Sequence, residues 1–260
     1  LLRHSERASW FLLAWAILLS AWEVGAYIGF VNARILPPPS QTIPFLLSGG
    51  AKVGFGTQTT GLWESILITL IRICVGLVFG LSASIAAGIL IVEFKSFRRI
   101  LLPILQSIAP IAPVAWIPFA IALVGIGNPA ALFVVFMAIF GSMSCSAAAA
   151  FDAVPEDYLK VSRSMHASRT RQWLTVILPA AAPNLMTMVR MSFFGAWMAV
   201  LAGEMAGINS GLGYLITMGQ QMYNMKLVMV GVIAIGVVGF ALDRLLLLVQ
   251  RRVLWWEETR

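Results

Sequence analysis

The side chains most able to bind a polar partner are concentrated in one hydrophilic segment, residues 151–180. Its sequence, FDAVPEDYLKVSRSMHASRTRQWLTVILPA, contains four cations, which are Lys160, Arg163, Arg169 and Arg171. Apolar runs flank the segment on both sides, and it is too short to fold as a domain of its own. We therefore expect this segment to dock on another protein rather than to carry out a reaction.

A second group of polar side chains lies inside the apolar runs and is suited to lining a passage through a membrane. A charge in hydrocarbon is costly and normally faces a partner or a water-filled cavity. Arg72 is therefore either an anion-attracting group or a side chain that reaches the outer interface or pairs with Glu64. Arg190 either lies in a pathway or holds two helices together, and Glu204 is either a gate, an inter-helix contact or an interfacial carboxylate. The pathway candidates are Arg72, Gln106, Ser107, Arg190 and Glu204.

The chain lacks the residue patterns of an enzyme. It has no glycine-rich phosphate loop with Lys and Ser or Thr, so it contains no ATPase site of its own. No carboxylate and nucleophile surround His166 in a catalytic arrangement, and no His, Cys and carboxylate cluster predicts a metal site. The net charge of +7 is spread over the ends of the apolar runs, which argues against binding of nucleic acid.

The composition is that of an integral membrane protein with a single transmembrane domain, residues 1–260. Hydrophobic residues make up 60% of the chain and charged residues only 11%, whereas soluble domains carry about 25% charged residues. Six apolar runs can cross a hydrocarbon core of ~30 Å, which needs about 20 residues each. The runs are 10–30, 65–92, 100–124, 129–150, 181–202 and 227–249. Prolines interrupt the third run and predict kinks and freed carbonyl groups there: Pro103, Pro110, Pro113 and Pro118.

The distribution of basic residues predicts the orientation of the chain. Most of the 18 Lys and Arg residues lie before the first run, between the second and third runs, in 151–180, or near the C-terminal end. The positive-inside rule places these regions, and therefore both termini, in the cytoplasm. An even number of spans agrees with termini on one side.

The cytoplasmic segment itself reads as two helices with a break between them. Pro155 suits the first turn of a helix, and the acidic residues that follow it complement the helix dipole. The break is expected near His166. The second helix is expected to end at Leu178 and Pro179, because the residue before a proline is disfavoured in helical geometry.

The spacing of this segment resembles the cytoplasmic loop of permease subunits from bacterial ATP-binding-cassette (ABC) importers. That family pattern is Glu-Ala-Ala, three residues, Gly, nine residues, then Ile-x-Leu-Pro. The residues that stand at the corresponding positions here are Lys160, Val161, Ser162, His166, Val176, Leu178 and Pro179. The Leu-Pro pair agrees and the first letters differ. The glycine position needs a left-handed backbone, which His adopts more often than most residues do.

Other segments are similar to the nitrate, sulfonate, taurine and bicarbonate importer permeases, in the same order along residues 36–252. They include LPPPSQTIPFLLSGG, IAPVAWIPFAIALVGIGNPAALFVV and GAWMAVLAGEM. The resemblance implies an all-α integral membrane protein with six transmembrane helices, the type I ABC importer permease architecture and both termini in the cytoplasm. It also implies a multi-pass protein of the bacterial cytoplasmic (inner) membrane.

The resemblance further implies a set of partners and a substrate class. The substrate is a small oxyanion or organic acid, delivered by an extracytoplasmic binding protein. A second permease copy completes the pathway in the bilayer, and a homodimer is favoured over a heterodimer. A cytoplasmic ABC ATPase dimer binds ATP and Mg, and its closure drives alternating access. It docks on the coupling loop at Arg163, Ser164, Met165, His166, Ala167, Ser168, Arg169 and Thr170.

Three alternatives compete with this interpretation. An ion-coupled secondary transporter would work without an ATPase, but it needs ionisable groups near the membrane midplane. Only Glu23 is an acidic residue expected there, because Glu204 lies too near the interface. An integral membrane enzyme would need a catalytic site that the sequence lacks. The segment 151–180 could also be a plain connector, although two helical pieces bounded by prolines are more structure than a connector requires.

Overall fold

The structure is a computed structural model that describes residues 2–29, 32, 35–48, 52–53 and 60–255. Helical segments dominate it, in agreement with the predicted fold class. In chain order the elements are α1 (Leu2–Tyr27), α2 (Pro39–Leu47), β1 (Lys52–Val53), β2 (Thr60–Gly61), α3 (Leu62–Glu93), α4 (Lys95–Ile108), a 3-10 turn (Pro113–Trp116), α5 (Ile117–Val124), α6 (Asn128–Asp152), α7 (Glu156–Ser164), α8 (Arg169–Gln172), a π-helical turn (Trp173–Ile177), α9 (Leu178–Met205), α10 (Leu212–Gln221) and α11 (Met225–Val253).

The chain forms two compact units. The smaller unit comprises residues 1–66 and 210–236. Its strands β1 and β2 pair antiparallel over two residues each. Glu23 of α1 accepts hydrogen bonds from the backbone and hydroxyl of Ser40 at the start of α2, the shorter of them 2.7 Å. A small apolar core forms around Leu215 and Leu227.

The larger unit comprises residues 67–209 and 237–260, and α3, α4, α5 and α9 pack around its helix α6. Glycines of α3 let its backbone approach α6 closely: a Cβ on Gly88 would lie 2.8 Å from that of Ala147. Gly76, earlier in α3, likewise faces Val135, earlier in α6. Because the contacting residues advance in the same direction along both helices, α3 and α6 run parallel. Small residues at helix interfaces permit this close packing in membranes, where no hydrophobic driving force holds helices together.

Four of the predicted spans are confirmed as long apolar helices. Among the described residues, the helices long and apolar enough to cross a membrane are Leu62–Glu93, Asn128–Asp152, Arg169–Met205 and Met225–Val253. Within α1, the apolar helical stretch Leu13–Tyr27 is shorter than these, and residue 30, the predicted end of the first span, lies outside the described residues. The count of six spans remains a prediction.

The predicted third span is not one straight helix. The segments Lys95–Ile108 and Pro113–Val124 meet at an angle of 99°. The break follows from Pro110 and Pro113, which have no N–H to continue the hydrogen-bond ladder. Counting the bent pair as one span raises the number of candidate spans from four to five.

The prediction that a helix ends at Leu178 and Pro179 is wrong. Leu178 has helical angles of φ −62° and ψ −49°, and the helix continues from Arg169 to Met205. The turn before Pro179 is π-helical over Trp173–Ile177. A π turn shifts the bonding from the fourth to the fifth residue, which accommodates a proline that lacks an N–H.

The packing of α3 on α6 predicts a destabilising substitution. Gly88→Ala would place a Cβ 3.1 Å from the backbone nitrogen of Ala148, and backbone cannot yield as a flexible side chain does. We expect a loss of about 1–3 kcal/mol. Gly236→Ala is the matched control, because nothing lies within 4 Å of its Cβ. Equal melting temperatures of the two variants in detergent would contradict this packing.

Candidate functional sites: the elbow and two ion-pair clusters

The first candidate site is the elbow, which we define as residues 156–172 and which contains α7 and α8. Pro155 precedes α7 with φ −56° and ψ 132°, and Glu156 and Asp157 occupy the first turn, as the sequence predicts. Lys160 pairs with Asp157 at 3.0 Å, and Ser164 donates to the carbonyl of Lys160. These contacts are local to α7 and lie on an exposed face.

The elbow turns at His166. Its φ is 52°, which confirms the left-handed backbone predicted at this position. The N–H of His166 bonds to the carbonyl of Arg163 at 2.9 Å, and the N–H of Ala167 bonds to that of Ser162 at 3.2 Å. This pair of bonds is a Schellman cap, which usually has glycine where His166 stands. A residue with a Cβ costs about 1–2 kcal/mol in this conformation, so the surrounding bonds hold the turn against strain.

Three exposed apolar side chains form a ridge on the otherwise polar surface of the elbow. Tyr158, Val161 and Met165 recur at helical spacing and are exposed, with 77% of Met165 accessible. Together with Arg171 and Val176 they border an open groove of about 430 Å³. Arg163, Ser168 and Thr170 of the same segment are also exposed. An apolar ridge with cations at its margin is suited to contact with a protein surface.

The elbow is fastened to the long helices by one carboxylate. Glu93, the last residue of α3, receives two hydrogen bonds of 2.8 Å from Arg169 and one of 2.9 Å from the indole N–H of Trp173. Trp173 also packs edge-on against Phe151 of α6, with ring centroids 5.2 Å apart. A bidentate Arg–carboxylate pair fixes geometry as well as charge. Arg169 is therefore an anchor within this chain.

Glu93 was not among the site residues predicted from the sequence. The available signal was its position, since it is the lone carboxylate at the end of the long apolar run 62–92. Charge complementarity with the basic segment 151–180 would have suggested a contact. The specific partner depends on the fold, because Arg169 lies 76 residues further along the chain.

The second candidate site is a buried ion cluster that contains two of the pathway candidates. Arg72 of α3 and Glu204 of α9 form an ion pair of 2.9 Å and are almost inaccessible. Thr69 donates to both carboxylate oxygens of Glu204, and Asn128 at the start of α6 accepts from Arg72 at 2.6 and 2.8 Å. The carboxylate that pairs with Arg72 is thus Glu204, whereas the alternative raised from the sequence was Glu64. The cluster joins three helices.

The third candidate site is the pair Arg190 and Asp243, which joins α9 to α11. Two hydrogen bonds of 2.7 and 3.0 Å connect the guanidinium to the carboxylate. This contact agrees with the second interpretation of Arg190, in which it holds two helices together. Asp243 was not among the sequence-predicted site residues, although it lies within the apolar run 227–249, directly before Arg244. The feature that could have identified it is the one used for Arg72, namely a charge inside an apolar helix.

The remaining pathway candidates, Gln106 and Ser107, stand apart from both ion pairs. They are exposed in the last turn of α4, and Ser107 donates to the carbonyl of Pro103 at 2.9 Å. The five candidates therefore occupy three separate places. Within the described parts of the chain, no three His, Cys, Asp or Glu side chains are grouped as metal ligands would be.

Comparison with known proteins identifies the class to which this fold and these sites belong. Residues 57–255 match the family described as binding-protein-dependent transport system inner membrane component. The chain is 30% identical to the taurine transport system permease protein TauC of Escherichia coli (strain K12), over 93% of this chain and 87% of that protein. It therefore belongs to this family of ABC transporter permeases, which are transport subunits and not enzymes.

Two further relatives agree with this assignment, and one solved structure shares the fold. The nitrate import permease protein NrtB of Synechocystis sp. is 30% identical, over 93% of this chain and 87% of that protein. The bicarbonate transport system permease protein CmpB of Synechococcus elongatus is 32% identical, over 81% and 74%. An inward-facing MetNI methionine ABC transporter structure superposes with a TM-score of 0.54 at 22% identity, covering 71% of this chain and 94% of that one. This likeness shows the fold alone.

The buried ion cluster predicts a strong coupling between two substitutions. Arg72→Met and Glu204→Leu, made singly, each leave a buried charge without its ion partner, at a cost of about 3–5 kcal/mol. The double variant removes both charges and should lose less than the sum of the single losses. A double-mutant cycle by thermal unfolding in detergent measures this difference.

The exposed pair Arg98 and Asp152, which are 2.7 Å apart, provides the control. The same cycle on Arg98→Met and Asp152→Leu should give a coupling below about 1 kcal/mol. Strictly additive losses at Arg72 and Glu204 would show that the two residues do not act as a pair.

Proposed function

We propose that this chain forms the transmembrane pathway of an ATP-driven importer and that its elbow docks on a separate cytoplasmic ATPase. The observation that carries this proposal is the exposed apolar ridge on an elbow anchored to the long helices. ATP and Mg bind to the partner ATPase. The docking contact comprises the segment 163–170 together with the ridge residues Tyr158 and Val161.

The composition of the elbow supports docking over a plain connector. A solvated connector needs no exposed side chains such as Val161 and Met165, each of which is costly to leave in water. Such a ridge gains free energy when a partner covers it, and the cations at its margin add specificity. The Schellman cap at His166 keeps the ridge in one conformation, so little entropy is lost on docking.

The anchor at Glu93 supports a mechanical role for the docked elbow. A force applied to α8 passes through Arg169 and Trp173 to the end of α3, and through Phe151 to the end of α6. When two ATPase subunits close, the elbows move with them and the long helices follow. This movement switches the pathway between its inward-facing and outward-facing states.

The substrate in this proposal is a small oxyanion or organic acid. The relatives are named for taurine, nitrate and bicarbonate, which are small solutes with an anionic group. The family description, which refers to a binding protein, supports delivery by an extracytoplasmic partner. A second copy of this chain completes the pathway.

The proposed topology has six spans, with α1 as the first and the bent pair as the third. Both termini then lie in the cytoplasm, on the inner side of a bacterial inner membrane.

The ion-coupled alternative is less well supported. Such a transporter needs an intramembrane carboxylate that binds and releases an ion during each cycle. Glu204 and Asp243 are each held by an arginine, and Glu23 is bonded to Ser40. Membership of an ABC permease family also favours an ATP-driven mechanism.

The docking role predicts that truncation of the ridge weakens binding of the ATPase. Met165→Ala should raise the Kd for the purified partner ATPase by about tenfold or more, because it removes a central apolar contact. Met222→Ala, at another exposed methionine, is the matched control and should leave the Kd unchanged. Binding of both variants with the affinity of the unmodified chain would overturn the docking role.

The anchor predicts a separation of binding from transport. Glu93→Gln keeps an acceptor for Trp173 but removes the charge that holds Arg169. We expect the ATPase to bind with less than about a threefold change in Kd, because the ridge is intact. Solute transported per ATP hydrolysed should fall at least several-fold in proteoliposomes. An unchanged transport ratio would mean that force does not pass through Glu93.

A further inference from the structure

The bend between α4 and α5 carries backbone groups that the helix ladder does not satisfy. In a continuous helix the carbonyls of Gln106 and Ala109 would accept from residues 110 and 113, but both of these are prolines. The N–H of Ile111 bonds instead to the carbonyl of Ile108 at 3.0 Å. The bend therefore presents carbonyl oxygens that have lost their helical donors.

The bend lies level with the middle of the long apolar helix α6. Its residue Ala109 packs against Gly141 so closely that a Cβ there would be 3.0 Å from the Cα of Ala109. Gly141 is near the centre of Asn128–Asp152, and the ion pair of Arg98 with Asp152 lies at the end of that helix. From Asp152 to Gly141 the helix rises about 16 Å, which is roughly half of a ~30 Å hydrocarbon core.

The bend is also exposed on its other side. The exposed residues are Gln106, Ser107, Ala109, Pro110, Ile111 and Ala112. Irregular backbone at membrane depth cannot face lipid, because hydrocarbon offers no hydrogen-bond donors and each unsatisfied group costs several kcal/mol. It is tolerated where it lines a water-filled cavity or is covered by protein.

We propose that the bend, residues 106–112, faces the water-filled pathway and forms a contact for hydrogen-bond donor groups of the substrate. This inference rests on the proposed function and narrows its substrate class. The backbone carbonyls of Gln106 and Ala109 act only as acceptors, and the side-chain amide of Gln106 offers both an acceptor oxygen and an NH2 donor beside them. Acceptors stabilise ammonium or hydroxyl groups and do not stabilise an oxyanion. The substrate therefore carries a donor group in addition to its anionic group.

Thiol labelling in proteoliposomes tests this assignment with the full chain. In a variant without Cys74 and Cys145, Gln106→Cys and Ala112→Cys are introduced one at a time. The probe is a membrane-impermeant cationic methanethiosulfonate reagent. The native Cys74, kept in a Cys145→Ser variant, is the control, because it is exposed on the continuous helix α3. We expect both new thiols to react at least about tenfold faster than Cys74, since only a thiol in water forms the reactive thiolate readily.

The charge preference of the site is measured with an anionic reagent of the same size. After normalisation to a free thiol in solution, Gln106→Cys should react faster with the cationic reagent than with the anionic one. Equal or reversed rates would overturn the acceptor character. If Gln106→Cys does not fold, Ala112→Cys gives the same comparison.

Two further results would contradict the assignment of the bend to the water-filled pathway. Labelling no faster than that of Cys74 would mean that the bend is not in water. A disulfide between the new cysteines of two chains would show that a second copy covers it. Labelling needs no ATPase, so its outcome is independent of how transport is driven. ATP-driven uptake with an unreactive bend would refute this inference and leave the proposed function in place.

Discussion

The close approach of helix backbones to α6 is the constraint on which the larger unit depends. Without a hydrophobic driving force between helices in a bilayer, association relies on contact between atoms and on polar bonds. Glycines provide that contact on both sides of α6: Gly88 of α3 meets Ala147, and Gly141 of α6 meets Ala109. One helix thus holds the membrane-spanning α3 and the broken segment in a fixed register, and bulkier residues at these positions would separate them.

The same helix connects the two regions to which we assign function. Gly141 supports the bend, and Phe151, ten residues further along, packs on Trp173 beside the elbow. In the proposed importer, α6 therefore lies between the docking surface and the pathway. The buried pair Arg72 and Glu204 joins the opposite end of α6 to α3 and α9 through Asn128. Helices tied at both ends move together, which is what alternating access by rigid-body motion requires.

Local patterns predicted much of this fold, and long-range pairing accounts for most of what they missed. Apolar runs located four spans, and the turn at His166 followed from a spacing motif. The rule that a helix ends before a proline failed at Pro179, because the preceding π turn accommodates the proline within a continuous helix. The partners Glu93 and Asp243 were not found, since no local rule states which distant charge will meet an arginine.

The energy source for uptake is the most direct test of this account. Proteoliposomes containing the chain, its binding protein and the partner ATPase would be supplied with labelled taurine or bicarbonate. The account predicts uptake that requires ATP hydrolysis and persists when ion gradients are collapsed by ionophores. Uptake by the chain alone, driven by an ion gradient without the ATPase, would contradict it and identify an ion-coupled transporter.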